Sequence, residues 1–180
     1  MSGPTLAVAL DGLQKSMPET QEAEMDQDGI IFRRAEAADL PSIVAILADD
    51  ELGRHREDPR QPLATEYEQA FRAIETDRNQ LLAVAVRDGD IIATLQLSFI
   101  PGLARKGTWR GQIEAVRVAS GDRNSGVGLR MFEWAIAECR SRGCGLVQLT
   151  TDKSRPDAHR FYERQGFRAT HEGYKLALEG

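Results

Sequence analysis

The chain has 180 residues, of which 41% are hydrophobic, 28% charged and 6% aromatic, with a formal charge of −5. A domain of this length removes about two-thirds of its unfolded surface from water, so no disulfide or metal staple is required, and apolar runs such as residues 81–86 fall far short of the roughly 20 residues that cross a bilayer. The charge excludes a basic nucleic-acid surface: residues 1–29 hold six acids against Lys15, and the remainder balances 22 acids with 22 bases.

In chain order, residues 1–29 carry too little apolar surface to offset chain entropy and are expected to form a mobile acidic tail, although Leu6, Leu10 and Leu13 could line a short helix. The opening twelve residues lack a basic n-region, so no secretory leader is expected and a cytoplasmic location follows by default. Residues 30–34 read as a strand. Asp39 is placed to cap a helix in which Leu40, Ile43, Val44 and Leu47 fall on one side. Polar residues 51–63, with two prolines, form a loop. The sequence Thr65-Glu66-Tyr67-Glu68 is a capping-box pattern opening a second helix, with Tyr67, Ala70, Phe71 and Ile74 inward. Strands over residues 81–86 and 91–99 meet at the hairpin signal Asp88-Gly89. Residues 101–107 form a turn, residues 112–118 a further strand, and residues 126–142 a helix burying Leu129, Phe132, Ala135, Ile136 and Cys139. A buried strand over residues 146–151 precedes a helix over residues 155–165 with Pro156 in its first turn. Residues 167–178 supply a terminal strand pair or one long strand. The order βααβββαβαβ predicts one α/β domain over residues 30–180, a central mixed twisted sheet flanked by helices. Cys139 and Cys144 match no zinc spacing and read as reduced structural thiols; no metal is expected.

The chemistry concentrates in residues 116–129. A strand ending Val116-Arg117-Val118 enters a loop containing Arg123, Asn124, Ser125, Gly126, Val127 and Gly128, and the loop opens a helix. Free N–H groups and the positive end of the helix dipole make such a loop an anion cradle. It is not a Walker loop, because Leu129 and Arg130 stand where lysine and Ser/Thr would. Nor is it a dinucleotide fingerprint, because Met131 replaces the third glycine. A Gly-x-Gly before a helix is equally compatible with a structural turn.

Two wider patterns resolve that choice. Arg123-x-x-Gly126-x-Gly128 resembles the acyl-CoA pyrophosphate motif of the GNAT family of N-acetyltransferases. Some thirty residues on, Ala158-x-x-Phe161-Tyr162-Glu163-x-x-Gly166-Phe167 is similar to that family's second motif, and the likeness spans about residues 30–178. It implies acetyl-CoA as acyl donor, its diphosphate held by backbone N–H groups of residues 123–128. It also implies pairing of its pantetheine arm with the backbone of Val116 and Val118, on a strand that splays from its neighbour. A bulge in that strand would aim an N–H near Val118 at the thioester oxygen. The family's Asn three residues before Ala158 is here Arg155, which departs from the pattern; Arg130 and Arg160 are further candidates near the phosphates.

An amine nucleophile must lose a proton before attack, its unperturbed pKa being about 10.4. Glu114, which alternation places on the same strand face as Val116 and Val118, is the candidate base, with an ordinary strand-edge carboxylate paired to Arg110 or Arg117 as the other reading. Tyr162 matches the family's general acid for the departing thiolate. His159 reads as a surface residue, His55 and His171 have no role, and neither cysteine has the histidine partner a nucleophile needs. On the acceptor side, Phe99 and Trp109 could wall the mouth and Arg54, Arg105 and Arg110 meet an acidic group, while Trp109 equally suits a core or dimer surface. The expected partner is a small-molecule amine, with no nucleic acid and no membrane. A homodimer through Trp109, Trp134 and the final strand is open. A non-catalytic acyl-CoA-binding regulator and an aminoacyl-tRNA-acetylating toxin are the competing functions.

Overall fold

Strand alternation and one tight turn organise the sheet. In the computed structural model, which describes residues 24–25, 28–49 and 53–178, β3 (Gln80–Arg87) and β4 (Asp90–Ile100) meet at Asp88 and Gly89, with φ of 54° and 89°. Both values lie in the left-handed region that a two-residue hairpin turn needs, as Asp-Gly predicts. The sheet order is β1-β2-β3-β4-β5-β6, with β1 Glu24–Met25, β2 Ile31–Arg34, β5 Trp109–Val118 and β6 Cys144–Leu149. All neighbours are antiparallel except β5 and β6, which run parallel. Residues 1–23 of the expected tail lie outside the described residues.

The two faces bury different helices. Leu82, Val84, Val86 and Ile91 pack with Leu40, Ile43, Val44 and Phe71 from α1 (Leu40–Ala48) and α2 (Thr65–Thr76). Leu81, Ala83, Leu95, Leu97 and Ile113 point the other way, onto Met131, Phe132, Ala135 and Cys139 of α4 (Val127–Ser141). Helix α5 (Pro156–Arg164) joins that layer edge-on, Phe161 lying 5.2 Å from Phe132. Between β4 and β5 a single turn, α3 (Ala104–Gly107), contains left-handed Arg105 and Lys106.

Four local expectations are corrected. Asp39 does not cap α1; its carboxylate accepts Arg33 at 2.6 and 3.0 Å and the Glu36 N–H at 2.8 Å, a stronger set of charged donors than one helix amide. Thr65 is the first helical residue, with Ala64 at the N-cap, so the capping box does not form. Trp134 lies stacked on Phe32 with centroids 6.2 Å apart, and is therefore engaged within the fold. The terminal strand does not form: residues 167–178 lie outside the sheet, with Tyr174, Leu176 and Leu178 86–89% exposed. Their alternation suits a strand but does not by itself form a ladder: among the described residues β6 pairs only with β5, and its outer edge is left unpaired.

Candidate active site

The parallel pair β5–β6 opens into a cleft. Its register runs from Trp109↔Cys144 to Ile113↔Leu149 and stops there, whereas β5 continues to Val118. Residues 114–118 therefore keep one backbone edge without a strand partner, at the carboxyl ends of parallel strands, where α/β folds bind ligands. The Ala119 N–H donates to Ile92 O at 2.9 Å, toward β4, so strand alternation turns the N–H groups of Val116 and Val118 toward the open side. On that side Arg117 donates to Val116 O at 2.9 Å and Arg123 Nε to Val118 O at 3.2 Å.

The expected bulge is present, at Ala115 and Val116. Thr94 pairs with Arg117 and Gln96 with Glu114, so two β5 residues oppose Leu95 alone. Ala115 has φ of 51°, a left-handed conformation unusual for a residue with a Cβ. The extra residue changes which side chains share a face. Glu114 and Arg117 lie with Gln96 and Thr94, while Val116 and Val118 lie with Leu95 and Ala93. Glu114 thus does not share a face with the two valines; the slip of one residue reverses the alternation assumed from sequence.

Beyond Val118 the chain curls. Residues Ser120–Asp122 form a 3-10 turn, Asn124 has φ of 64°, Gly126 has φ of 87° and serves as N-cap, and α4 starts at Val127. No side chain caps α4, so the amides of its first turn remain for an anion. A Cβ on Gly128 would meet Val118 Cγ2 at 3.6 Å, an ordinary contact, so internal packing does not demand glycine there. Ser125 Oγ donates to Asp122 O at 2.6 Å and Asp122 is paired with Arg87 of β3. Arg123 is bound to Asp49. Two other basic candidates are also engaged: Arg130 lies 2.5 Å from Asp28, and Arg160 is paired with Asp157.

Tyr162 stands beside this cleft on α5, its ring 5.5 Å from Phe132 and 6.2 Å from Phe167. Burial pushes its phenol above the ordinary range, against the pull of the Arg155 and Arg117 guanidinium groups and the Thr151 hydroxyl. His159 Nε2 is bonded to Asp152 O at 3.0 Å, which leaves it holding the turn before α5. Burial beside Cys144 pushes the Cys139 thiol up to about 12, which makes it inert as a nucleophile.

The acceptor side differs from expectation. Phe99 is buried at 1% exposure with the Arg142 guanidinium 4.1 Å above its ring, so it cannot wall a mouth. Arg105 and Arg110 line a shallow cavity of about 300 Å³ with Gly102, Leu103, Ala104 and Thr108, at the end of β5 remote from the cradle. Sequence reasoning overlooked a polar row on the Glu114 face. Gln80, Ser98, Gln112 and Gln148 are consecutive register partners across β3–β6. Ser98 and Gln96 donate to Gln80 Oε1 at 2.8 and 3.0 Å, and Gln148 donates to Gln112 Oε1 at 2.7 Å. The signal was polar residues at inward positions of otherwise apolar strands.

A splayed parallel pair, a bulged strand and a glycine-containing loop opening a helix thus meet at one end of the sheet. The Acetyltransferase (GNAT) family model matches residues 40–167, and the chain belongs to that family. It is 30% identical over 147 residues to the aminoalkylphosphonate N-acetyltransferase of Salmonella typhimurium, covering 82% of this chain and 90% of that one. It is also 30% identical over 166 residues to the streptothricin acetyltransferase of Streptomyces lavendulae, covering 91% and 77%. A crystal structure from Bacillus halodurans C-125, described as a transcriptional regulator, superposes with a TM-score of 0.81 at 47% identity, covering 83% and 99%. The chain is therefore an acetyl-transferring enzyme of a family that generally uses acetyl-CoA. Among the described residues, no helix is long and apolar enough to cross a membrane.

Proposed function

We propose that the chain moves acetyl from acetyl-CoA directly to a primary amine of a small molecule, both substrates being bound together. The observation that carries this reading is the loss of β5–β6 pairing after Ile113 and Leu149, beside the uncapped start of α4. Amides of residues 123–128 would hold the diphosphate, with Asn124, Ser125 and Val127 contributing main chain and Gly126 and Gly128 allowing close approach. The arm would pair along Val116 and Val118, and an N–H freed by the bulge would face the thioester oxygen as it gains charge. Two similar enzymes are named for aminoalkylphosphonate and streptothricin, which favours a small-molecule acceptor.

The acceptor amine would lie on the sheet face that carries Glu114, over the Gln112 and Gln148 row. Glu114 takes a proton from the ammonium through a water, and the nitrogen lone pair then attacks the thioester carbonyl. Collapse of the tetrahedral adduct breaks the C–S bond. Tyr162 gives its proton to the sulfur and recovers one from the nitrogen, which sheds its second proton as the amide forms. One proton reaches solvent per turnover. The test is an amine panel, including an aminoalkylphosphonate and streptothricin, incubated with acetyl-CoA while free thiol is followed. Thiol release dependent on a small amine supports the reading; release with peptides alone would overturn the acceptor class.

A further inference from the structure

Asp49 closes helix α1, its N–H bonded to Ile46 O at 3.2 Å, and its side chain reaches across to the turn that follows β5. Oδ2 accepts the Ser120 N–H at 2.8 Å and Arg123 Nη2 at 3.2 Å, and the Asp49 carbonyl accepts the same Nη2. The ties continue on the other side of the guanidinium, where Nε donates to Val118 O at 3.2 Å. One arginine thus spans the end of β5 and the end of α1, and one carboxylate holds both Arg123 and the backbone three residues before it. The bond from Ser120, reinforced by Arg123, holds the Asp49 carboxyl below the usual carboxylate range, so it is ionised at neutral pH.

These contacts do not fit an arginine reserved for phosphate. We propose that Asp49 and Arg123 form a positioning pair that fixes the turn over residues 120–126 in its amide-presenting shape, Arg123 serving the cofactor through this tie and not by touching its phosphates. The physical need is local. Asn124 is a non-glycine residue in a left-handed conformation, and such a backbone persists only where its surroundings over-determine it. Both side chains are two-fifths exposed, 43% for Arg123 and 39% for Asp49, so the pair adds little to global stability and its effect appears as loop preorganisation. The inference rests on reading residues 123–128 as the CoA cradle.

Calorimetric titration of CoA into the full chain and into Asp49→Ala, Arg123→Ala and the double variant tests it. Each single change should weaken CoA binding roughly five- to ten-fold, and the double change should be no worse than the weaker single. KM for acetyl-CoA should rise while kcat stays within about two-fold. Asp49→Asn, which keeps an oxygen for the Ser120 N–H, should fall between the parent and Asp49→Ala. Thermal melting of every variant should match the parent, which separates loop shape from unfolding. If the parent binds CoA and Asp49→Ala binds it equally well, or the two losses multiply, the pair is refuted. Failure of the parent itself to bind CoA would instead take down the cradle, and this inference with it.

Discussion

Tyr162 combines a raised phenol with a position beside the cleft, and the direction of that shift matters for its proposed work. A phenol displaced upward stays protonated throughout the neutral range, and a proton donor must begin protonated. Tyr162→Phe should lower kcat by about a hundred-fold or more, as loss of a general acid does, while the dissociation constant for CoA changes little. Cys139 moves in the same direction for the same reason, burial, its thiol being enclosed between α4 and β5. Iodoacetamide at pH 8 should therefore spare Cys139 in the folded chain and modify it after denaturation, which peptide mass mapping would read. Asp39 goes the opposite way. Burial alone would raise its carboxyl, but Arg33 and the Glu36 N–H outweigh that and leave it below the ordinary range. A carboxylate lowered on folding contributes stability above its unfolded pKa, about 3.9, and loses it as the pH falls through the lower folded value. Asp39→Asn should cost about 2 kcal/mol in urea unfolding at pH 7, and the gap from the parent should close as the pH falls below that range. Asp39 was legible as a residue near a helix start; its partner Arg33 was not, because the pair depends on how strand β2 delivers the chain into α1.

Strand β5 shows how one inserted residue builds a site. Its bulge turns Glu114 to one face and the Val116 and Val118 side chains to the other, while the open edge carries the N–H groups between them. In the proposed reaction, Glu114 would then meet the amine from one face while an open-edge N–H meets the thioester oxygen from the strand's side. The resemblance indicated a bulge, but its register was invisible in the sequence, since Ala115 looks like any other apolar strand residue. The left-handed Ala115 gives a direct test: Ala115→Gly should leave stability within about 1 kcal/mol, whereas Ala115→Val, branched at a positive φ, should cost roughly 1–3 kcal/mol. The cradle offers another. Gly128 has room for a methyl group in the folded chain, so Gly128→Ala should leave melting unchanged or slightly higher. Gly126 differs: it N-caps α4 with φ of 87°, which disfavours any Cβ, so Gly126→Ala should distort the amide cradle and weaken CoA binding by about ten-fold or more. A merely structural turn predicts no such loss.

At the scale of the whole molecule, the pattern disclosed most of the architecture because each helix has one clear apolar side and the central strands β3 and β4 are nearly continuous apolar runs, buried on both faces. The helices around residues 40–47, 65–74 and 126–142 appear within a few residues of their expected bounds, and the Asp88-Gly89 hairpin forms as its chemistry requires. What escaped was non-local. Glu138 is fully buried within the face of α4, 3.4 Å from Arg142, a placement no helical period announces. Whether residues 167–178 join the open edge of β6 is not written in their alternation, and the polar row depended on the register of four strands. The cleft links the whole fold to its ligand: a molecule that binds the native state alone stabilises it by about 2.7 kcal/mol at a hundred-fold excess over Kd. Saturating acetyl-CoA should accordingly raise Tm by about 3 °C or more, and Gly126→Ala should blunt that rise. Gly111 adds a mechanical side to this linkage. A Cβ there would collide with Cys139 Sγ, so the bare backbone of β5 is a socket into which the sulfur of α4 seats. That seat sets how far the helix slides along the sheet, and the cradle rides at the helix's other end. Plugging the socket with alanine should therefore detune a grip three turns away, making a change deep in the interior register as poorer hold on a cofactor it never meets.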